Sequence, residues 1–136
     1  MNKHENVRNR IQALLLDSNE ENLSIAAKRE ILSSGKSSIT PLIEILEDRE
    51  LWNLDAPREG KAPIDAVRLL ADLNAEQAIK PMLAALEESD PIEMIYSALL
   101  FSLEQLGKCV FEPALAAYEQ SDDWEYKSSL CSVLSN

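Results

Sequence analysis

The sequence predicts an all-α fold: a right-handed α-α superhelix of about three helix hairpins with a capping helix at each end. The main observation is an internal repeat. Residues 35–41 and 107–113 both begin with Gly-Lys and end in proline, and residues 74–81 are a third, slightly longer version. Self-similarity at periods of about 30 to 45 residues is typical of stacked helix pairs. Composition agrees, since only three glycines and 5% aromatic residues argue against a strand-rich fold.

The first predicted helix, residues 4–16, carries one apolar stripe with helical spacing. That stripe consists of Val7, Ile11, Leu14 and Leu15. Asp-Ser-Asn at 17–19 follows, and these residue types stop one helix and cap the next. We therefore assign residues 1–17 to an N-terminal capping helix.

Repeat 1 is predicted over residues 21–50. Its first helix covers 21–34 and ends at Gly35, because glycine suits the left-handed position just past a helix end. Its second helix covers 38–50, where Pro41 falls in the first turn and is tolerated.

Repeat 2 is predicted over residues 62–89, after an inserted loop at 51–62. Its helices cover about 62–73 and 76–88, and the first of them has Pro63 near its start. The residues that we expect to be buried between layers of repeats 2 and 3 are Leu70, Leu73, Ile79, Leu83, Leu86, Leu103, Leu106, Phe111 and Leu115.

Repeat 3 is predicted over residues 91–120. Asp90-Pro91 is typical of a helix start, since a carboxylate caps the first amides and proline suits the first helical position. One helix covers about 91–106 and stops at Gly107, and the second fills about 109–120.

A C-terminal capping helix is predicted over residues 123–136. Its serines, Ser132 and Ser135 among them, lie opposite Leu130 and Val133. A polar outer face on a terminal element keeps a stacked array soluble. None of these short helices is stable alone, so stacking must supply the burial that holds them.

Two of these units share a set of residues, which are Asp90, Ala98, Leu106-Gly107 and Phe111-Glu112-Pro113 in one unit, and Ala66-Val67-Arg68, Leu73-Asn74 and Ile79-Lys80-Pro81 in the other. With these residues the units resemble HEAT-like repeats, in particular the short type named after phycobilisome lyases. That type carries an aspartate, an alanine and Leu-Gly in its first helix, and a hydrophobe-x-proline opens its second. The resemblance covers about 21–136 and implies the α-α superhelix. HEAT-like arrays mostly bind proteins, and a few relatives assist bilin attachment or DNA repair.

The net charge is −11, and it is unevenly spread, from +1 over residues 1–17 to −5 over residues 91–136. Affinity for nucleic acid depends on Lys and Arg that neutralise phosphates, so the charge argues against nucleic acid and favours a basic or neutral protein partner. No apolar run approaches the roughly 18 residues of a membrane span. Cys109 and Cys131 form no disulfide framework, which favours free thiols and a cytoplasmic location.

The sequence does not predict an enzyme. Gly35-Lys36-Ser37 resembles the end of a phosphate-binding loop, but Glu30 stands where that loop needs glycine. His4 is the only histidine, and with the widely separated Cys109 and Cys131 it matches no compact metal-ligand spacing. We therefore predict no catalytic residue, no metal and no cofactor.

Three glutamates define a candidate binding surface, which we call the acidic ladder: Glu47, Glu87 and Glu119. Each lies six positions past the proline of its helix, so stacked repeats would set them one above another. Each falls late in its helix, where the helix dipole mildly disfavours a carboxylate. We therefore predict that the acidic ladder contacts a basic partner; the alternative is an ordinary solvated rim.

The inserted loop, residues 51–62, is the other candidate binding surface. It makes the interval from Pro41 to Pro81 longer than the interval from Pro81 to Pro113, and insertions in repeat proteins often form the binding face. Its candidate partner contacts are Trp52, Leu54 and Arg58, because Trp and Arg are frequent interface anchors. The alternative is that Trp52 and Leu54 fold back onto the adjoining helices.

We therefore expect a non-enzymatic protein–protein interaction scaffold with an acidic face for a basic or neutral partner. One version is an inhibitor or immunity-type protein that neutralises a basic toxin. The alternative is a bilin-lyase-like protein or subunit, which needs an apolar groove for a tetrapyrrole and has only Cys109 or Cys131 as reactive side chains. DNA binding, as in HEAT-like alkylation-repair proteins, is disfavoured by the charge.

Overall fold

A computed structural model of the chain describes residues 3–16 and 23–135, and the regular structure within these ranges is entirely helical. The α-helices are α1 (Lys3–Leu16), α2 (Ile25–Ser33), α3 (Lys36–Glu47), α4 (Lys61–Asp72), α5 (Ile79–Glu88), α6 (Met94–Leu106), α7 (Phe111–Gln120) and α8 (Trp124–Leu134). Short 3-10 turns lie at Arg49–Trp52, Pro57–Gly60, Glu76–Ala78 and Gly107–Val110. The all-α prediction is confirmed. The stop and cap predicted at residues 17–19 lie outside the described residues.

The helices form two alternating series of contacts. In one series α1 contacts α3, α3 contacts α5 and α5 contacts α7; in the other, α2 contacts α4, α4 contacts α6 and α6 contacts α8. Contacts between α3 and α4, α5 and α6, and α7 and α8 join the two series. The most extensive of all link α3 to α4 and α4 to α6, which the predicted repeats assign to different units.

One apolar core joins these helices from α1 to α8. Its largest fully buried side chains are Ile11, Leu15, Ile31, Leu42, Leu46, Leu70, Met82, Leu86, Leu99, Leu103, Leu130 and Val67. Of the residues expected to be buried between layers, Leu73 and Leu106 are half-buried. Burial of side chains from neighbouring helices therefore supplies the stability that the individual helices lack.

The burial predicted for Phe111 and Leu115 is wrong. Phe111 is 51% exposed and Leu115 is 37% exposed, whereas Val110 and Ala114, each one position earlier, are buried. A shift of one position turns the buried face of a helix by about 100°. The equivalent residue of α5, Leu83, is buried because α5 has neighbours on both sides in its series. Among the described residues α7 has only one such neighbour.

α3 differs from the prediction at both ends. It begins at Lys36 and ends at Glu47, so Pro41 is its sixth residue and does not lie in the first turn. Proline has no N–H and therefore removes one donor from the helical hydrogen-bond ladder. The chain leaves α3 through Asp48, whose Oδ1 accepts a hydrogen bond from the Glu50 N–H at 3.2 Å. Residues 48–50, which the sequence assigned to the end of this helix, therefore lead from α3 into the inserted loop.

α6 begins at Met94, later than the Asp90-Pro91 pair predicted. Asp90 caps a single turn: its Oδ1 accepts from the Ile92 N–H at 3.1 Å, and Glu93 Oε1 accepts from the Asp90 N–H at 2.8 Å. Glu93 then has an extended backbone, with φ −78° and ψ 145°, so the regular helix starts only after it. This break places Ile92 and Met94 in exposed positions.

Candidate functional site

A surface groove lies between the inserted loop and the start of α6. Residues 52–55 and 59–61, together with Ile64 of α4, supply one wall, and residues 92–95 supply the other. Its volume is about 620 Å³. The fold therefore brings the predicted inserted loop against a second segment that lies well beyond it in the sequence.

Large apolar side chains stand exposed at this groove. Leu54 is 80% exposed, Ile92 90% and Met94 67%, while Ile64 and Ile95 beneath them are buried. Neighbouring exposed apolar side chains are typical of interaction surfaces and ligand grooves. Leu54 therefore does not fold back onto the adjoining helices, and it remains a candidate contact.

Trp52 combines the two roles that the sequence left open. It is half-buried, and its Nε1–H donates to the Leu46 carbonyl oxygen at 3.1 Å. The guanidinium of Arg49 lies 4.5 Å from the centroid of the Trp52 ring, and Arg49 Nη1 donates to the same Leu46 oxygen at 2.8 Å. That carbonyl lies in the last turn of α3, where helical donors are missing. Trp52 therefore packs against α3 and also forms part of the groove wall.

Arg58 is a correction to the predicted partner contacts, because its side chain is only 2% exposed. Its Nη1 lies 2.8 Å from Asp65 Oδ2 and donates to the Leu15 carbonyl oxygen at 3.1 Å. Arg58 and Glu59 both have left-handed backbones, with φ of 57° and 58°, which is uncommon outside glycine. In this conformation the guanidinium points into the protein and ties the inserted loop to α1 and α4.

Gly60 fixes the position of the groove wall. Its φ is 82°, and a Cβ atom there would lie 2.6 Å from the Trp52 carbonyl oxygen. Glycine has no Cβ and adopts positive φ without steric cost. The close approach of these two backbone segments therefore depends on glycine at position 60.

The acidic ladder residues Glu47, Glu87 and Glu119 are all exposed, and each is the last or next-to-last residue of α3, α5 or α7. These three helices are successive neighbours in one contact series. None of the three glutamates lines the groove. Their alignment in a single row stays a prediction.

Tyr126 of α8 is a core residue whose ionisation is influenced by Glu87 of the acidic ladder. It is buried, and its hydroxyl donates to the Leu83 carbonyl oxygen at 3.0 Å. Burial, and secondarily the negative charge of Glu87, raise the pKa of Tyr126 to about 12. Because the pKa of Tyr126 is higher in the folded state, the neutral side chain contributes stability that is fully present below the unfolded-state pKa of about 10. This contribution is lost as the pH rises toward the folded-state pKa.

We therefore expect the free energy of unfolding to fall as the pH rises from about 10 to about 12. Tyr126→Phe should flatten this part of the profile, since it removes the ionising group, and Glu87→Gln should flatten it less. Urea unfolding at a series of pH values, followed by circular dichroism, measures these slopes. Equal slopes for the wild type and Tyr126→Phe over this range would contradict the prediction.

Neither cysteine lines the groove. Cys109 is half-buried and its Sγ donates to the Leu106 carbonyl oxygen at 3.1 Å, while Cys131 is exposed on α8. Within residues 3–16 and 23–135 there is no group of three or more His, Cys, Asp or Glu side chains that could hold a metal ion. Over the same ranges no helix has the length and apolar character needed to cross a bilayer.

The 92–95 wall was missed by the sequence analysis, and one signal was present. Met94 lies off the apolar stripe of Ile95, Leu99 and Leu103, which are all buried. A large apolar residue off the buried stripe indicates exposure, whereas the Asp90-Pro91 signature indicates only a helix start.

Comparisons of the chain with protein-family models, with curated proteins and with solved structures gave no match. The support for the candidate site therefore comes from the geometry of the groove itself.

Proposed function

We propose that this chain is a non-catalytic protein-binding scaffold of HEAT-like type, built as a short right-handed α-α superhelix. The two contact series, in which each helix touches the one two positions further along, support this arrangement. Stacked helical repeats in such arrays contact only their neighbours and present extended binding surfaces. An inhibitor or immunity-type protein that neutralises a basic toxin is one version of this function.

The observation that carries the proposal is the groove. Leu54, Ile92 and Met94 all line it and are exposed, and keeping such large apolar side chains in water is unfavourable. A protein partner that covers them removes apolar surface from water at roughly 25 cal/mol per Å². Trp52 is already held in place by its bond to Leu46, so little side-chain freedom is lost when it is covered.

A photo-crosslinking experiment tests this function. A photoreactive amino acid replaces Leu54 in the full chain, and crosslinks are formed in a lysate of the source cell. We expect a discrete protein adduct, which disappears when Ile92 and Met94 are both changed to serine. The matched control is Phe101→Ser, since Phe101 is 66% exposed, much as Met94 is, but lies outside the groove. An adduct that survives Ile92→Ser/Met94→Ser, or that Phe101→Ser also abolishes, would contradict the proposal.

A further prediction concerns the acidic ladder. Replacing Glu47, Glu87 and Glu119 together by glutamine keeps their shape and removes three negative charges. We expect a basic partner to associate more slowly, because attraction between opposite charges steers the encounter, and the difference should shrink as ionic strength passes about 0.15 M. Stopped-flow association rates at several salt concentrations measure this effect.

The control for the acidic ladder is a second triple glutamine variant with the same change in net charge. It changes Glu76, Glu104 and Glu112, which are exposed and lie beside the α4–α5 and α6–α7 turns, whereas Glu87 and Glu119 of the acidic ladder lie at the other ends of α5 and α7. A ladder variant that associates as fast as wild type at low salt, or no more slowly than this control, would leave the three glutamates as ordinary solvated surface.

A further inference from the structure

We propose that the groove binds one class of segment: a peptide with large apolar side chains next to Lys or Arg. This inference rests on the proposed protein-binding function and specifies the chemistry of the partner. It follows from three features of the groove, namely its exposed apolar side chains, the charges on its rim and its rigid wall.

The apolar part of the groove accepts side chains of similar character. Ile92 and Met94 project from one wall and Leu54 from the other, above the buried Ile64 and Ile95. The volume of about 620 Å³ lies within the range of pockets that enclose a drug-sized molecule. Such a space holds a few side chains of a peptide, and the unbranched Met94 can adjust its shape to them.

The charged part of the groove is negative. Asp55, Glu59 and Glu93 line it, and among its described lining residues Lys61 is the single cation. The adjacent segment 87–93 adds Glu87 and Asp90 and contains no basic residue, while its Glu88 is paired with Arg49. A carboxylate near a protein surface attracts a cation that comes within a few ångström of it, because the local dielectric is lower than that of bulk water.

Arg49 and Arg58 do not change this sign. Arg49 forms an ion pair with Glu88, and Arg58 forms a buried ion pair with Asp65. Their charges are therefore largely compensated, and the groove presents a net negative field to an approaching segment. The same field repels phosphate groups, so it disfavours an anionic membrane surface or a nucleic acid as the occupant.

The groove is also preformed. The Gly60 backbone approaches the Trp52 carbonyl too closely for any side chain at position 60, and the Trp52 indole donates to Leu46. A binding site that is rigid before the ligand arrives loses less conformational entropy on association. The inserted loop therefore acts as a fixed wall against which a peptide segment can dock.

Fluorescence anisotropy with short fluorescein-labelled peptides tests this inference on the full chain. The probe is a peptide of leucine and lysine, compared with one in which glutamate replaces lysine and one in which serine replaces leucine. We expect only the first to bind the wild type. Ile92→Ser/Met94→Ser should weaken its binding by about tenfold or more, the effect of losing one well-buried apolar contact.

Two further variants separate the charge from the apolar surface. The triple variant Asp55→Asn/Glu59→Gln/Glu93→Gln should weaken binding of the leucine–lysine peptide at low salt. This loss of affinity should become smaller as the salt concentration rises. Phe101→Ser is the matched control and should leave its affinity unchanged. Equal binding of the glutamate peptide, an equal loss in Phe101→Ser, or no loss in either groove variant would overturn the proposal. Unchanged circular dichroism spectra confirm that the variants are folded.

Self-association is measured in the same series by sedimentation velocity. We expect a monomer at concentrations where the peptide binds. A dimer that Ile92→Ser/Met94→Ser dissociates would overturn the inference, because a second copy of the chain would then cover the groove.

The crosslinked partner distinguishes the two proposals. A partner whose crosslinked segment lacks Lys and Arg refutes the peptide chemistry and leaves the binding function standing, whereas peptide binding without any adduct from position 54 contradicts the binding function.

Discussion

Changing Arg58 to methionine is expected to lower the free energy of unfolding by about 3–5 kcal/mol. The substitution removes the guanidinium that lies 2.8 Å from Asp65 and leaves that carboxylate, whose side chain is 13% exposed, in a largely buried position without this cation. It also removes a donor to the Leu15 carbonyl oxygen of α1, far earlier in the chain. Urea unfolding followed by circular dichroism measures the change.

The double variant Arg58→Met/Asp65→Leu is the control for this prediction. Replacing both partners of a buried ion pair by apolar residues is often close to neutral, because no uncompensated charge remains. We therefore expect the double variant to recover most of the stability that Arg58→Met loses. If Arg58→Met changed stability by less than about 0.5 kcal/mol, the usual range for surface positions, the original assignment of Arg58 to the exposed surface would be restored.

The second large effect is expected for Leu83→Ala, with a loss of about 2–5 kcal/mol. Leu83 is 4% exposed and lies on α5, a helix that contacts α3, α6, α7 and α8. Truncation removes buried methyl groups and leaves a cavity that neighbouring helices fill only in part. The same unfolding measurement gives the loss.

Leu54→Ala is the matched control, since it makes the same chemical change at a residue that is 80% exposed. We expect it to change stability by no more than about 0.5 kcal/mol. Similar losses at the two positions would mean that α5 presents a different face to the core.

Local patterns were sufficient to predict the helical class, most of the helices and much of the core. Gly35 and Gly107 both have positive φ and lie between helices, as expected of residues just past a helix end. Leu70, Ile79 and Leu103 are buried on the faces that the apolar spacing along their helices predicts. These properties depend on residues close in sequence, which is why the sequence alone predicts them.

The groove depends on contacts between distant residues, and for this reason it was only half predicted. The unusual spacing of the repeats indicated the inserted loop, and Trp52 and Leu54 do line the groove. The opposite wall depends on the break at Glu93 and on the contact between α4 and α6. Arg58 points inward because it contacts Asp65 and the Leu15 carbonyl oxygen there, and no local sequence pattern reveals contacts between such distant residues.

The exposure of Leu54, Ile92 and Met94 has a consequence for how this protein can change. Because these side chains contribute little to the core, substitutions at the three positions should leave stability within about 0.5 kcal/mol of wild type. The rigid wall at Gly60 and the core beneath are specified by other residues. Under the proposed binding function, specificity and stability can therefore evolve separately, and a combinatorial library restricted to these three positions tests whether recognition changes while the fold does not.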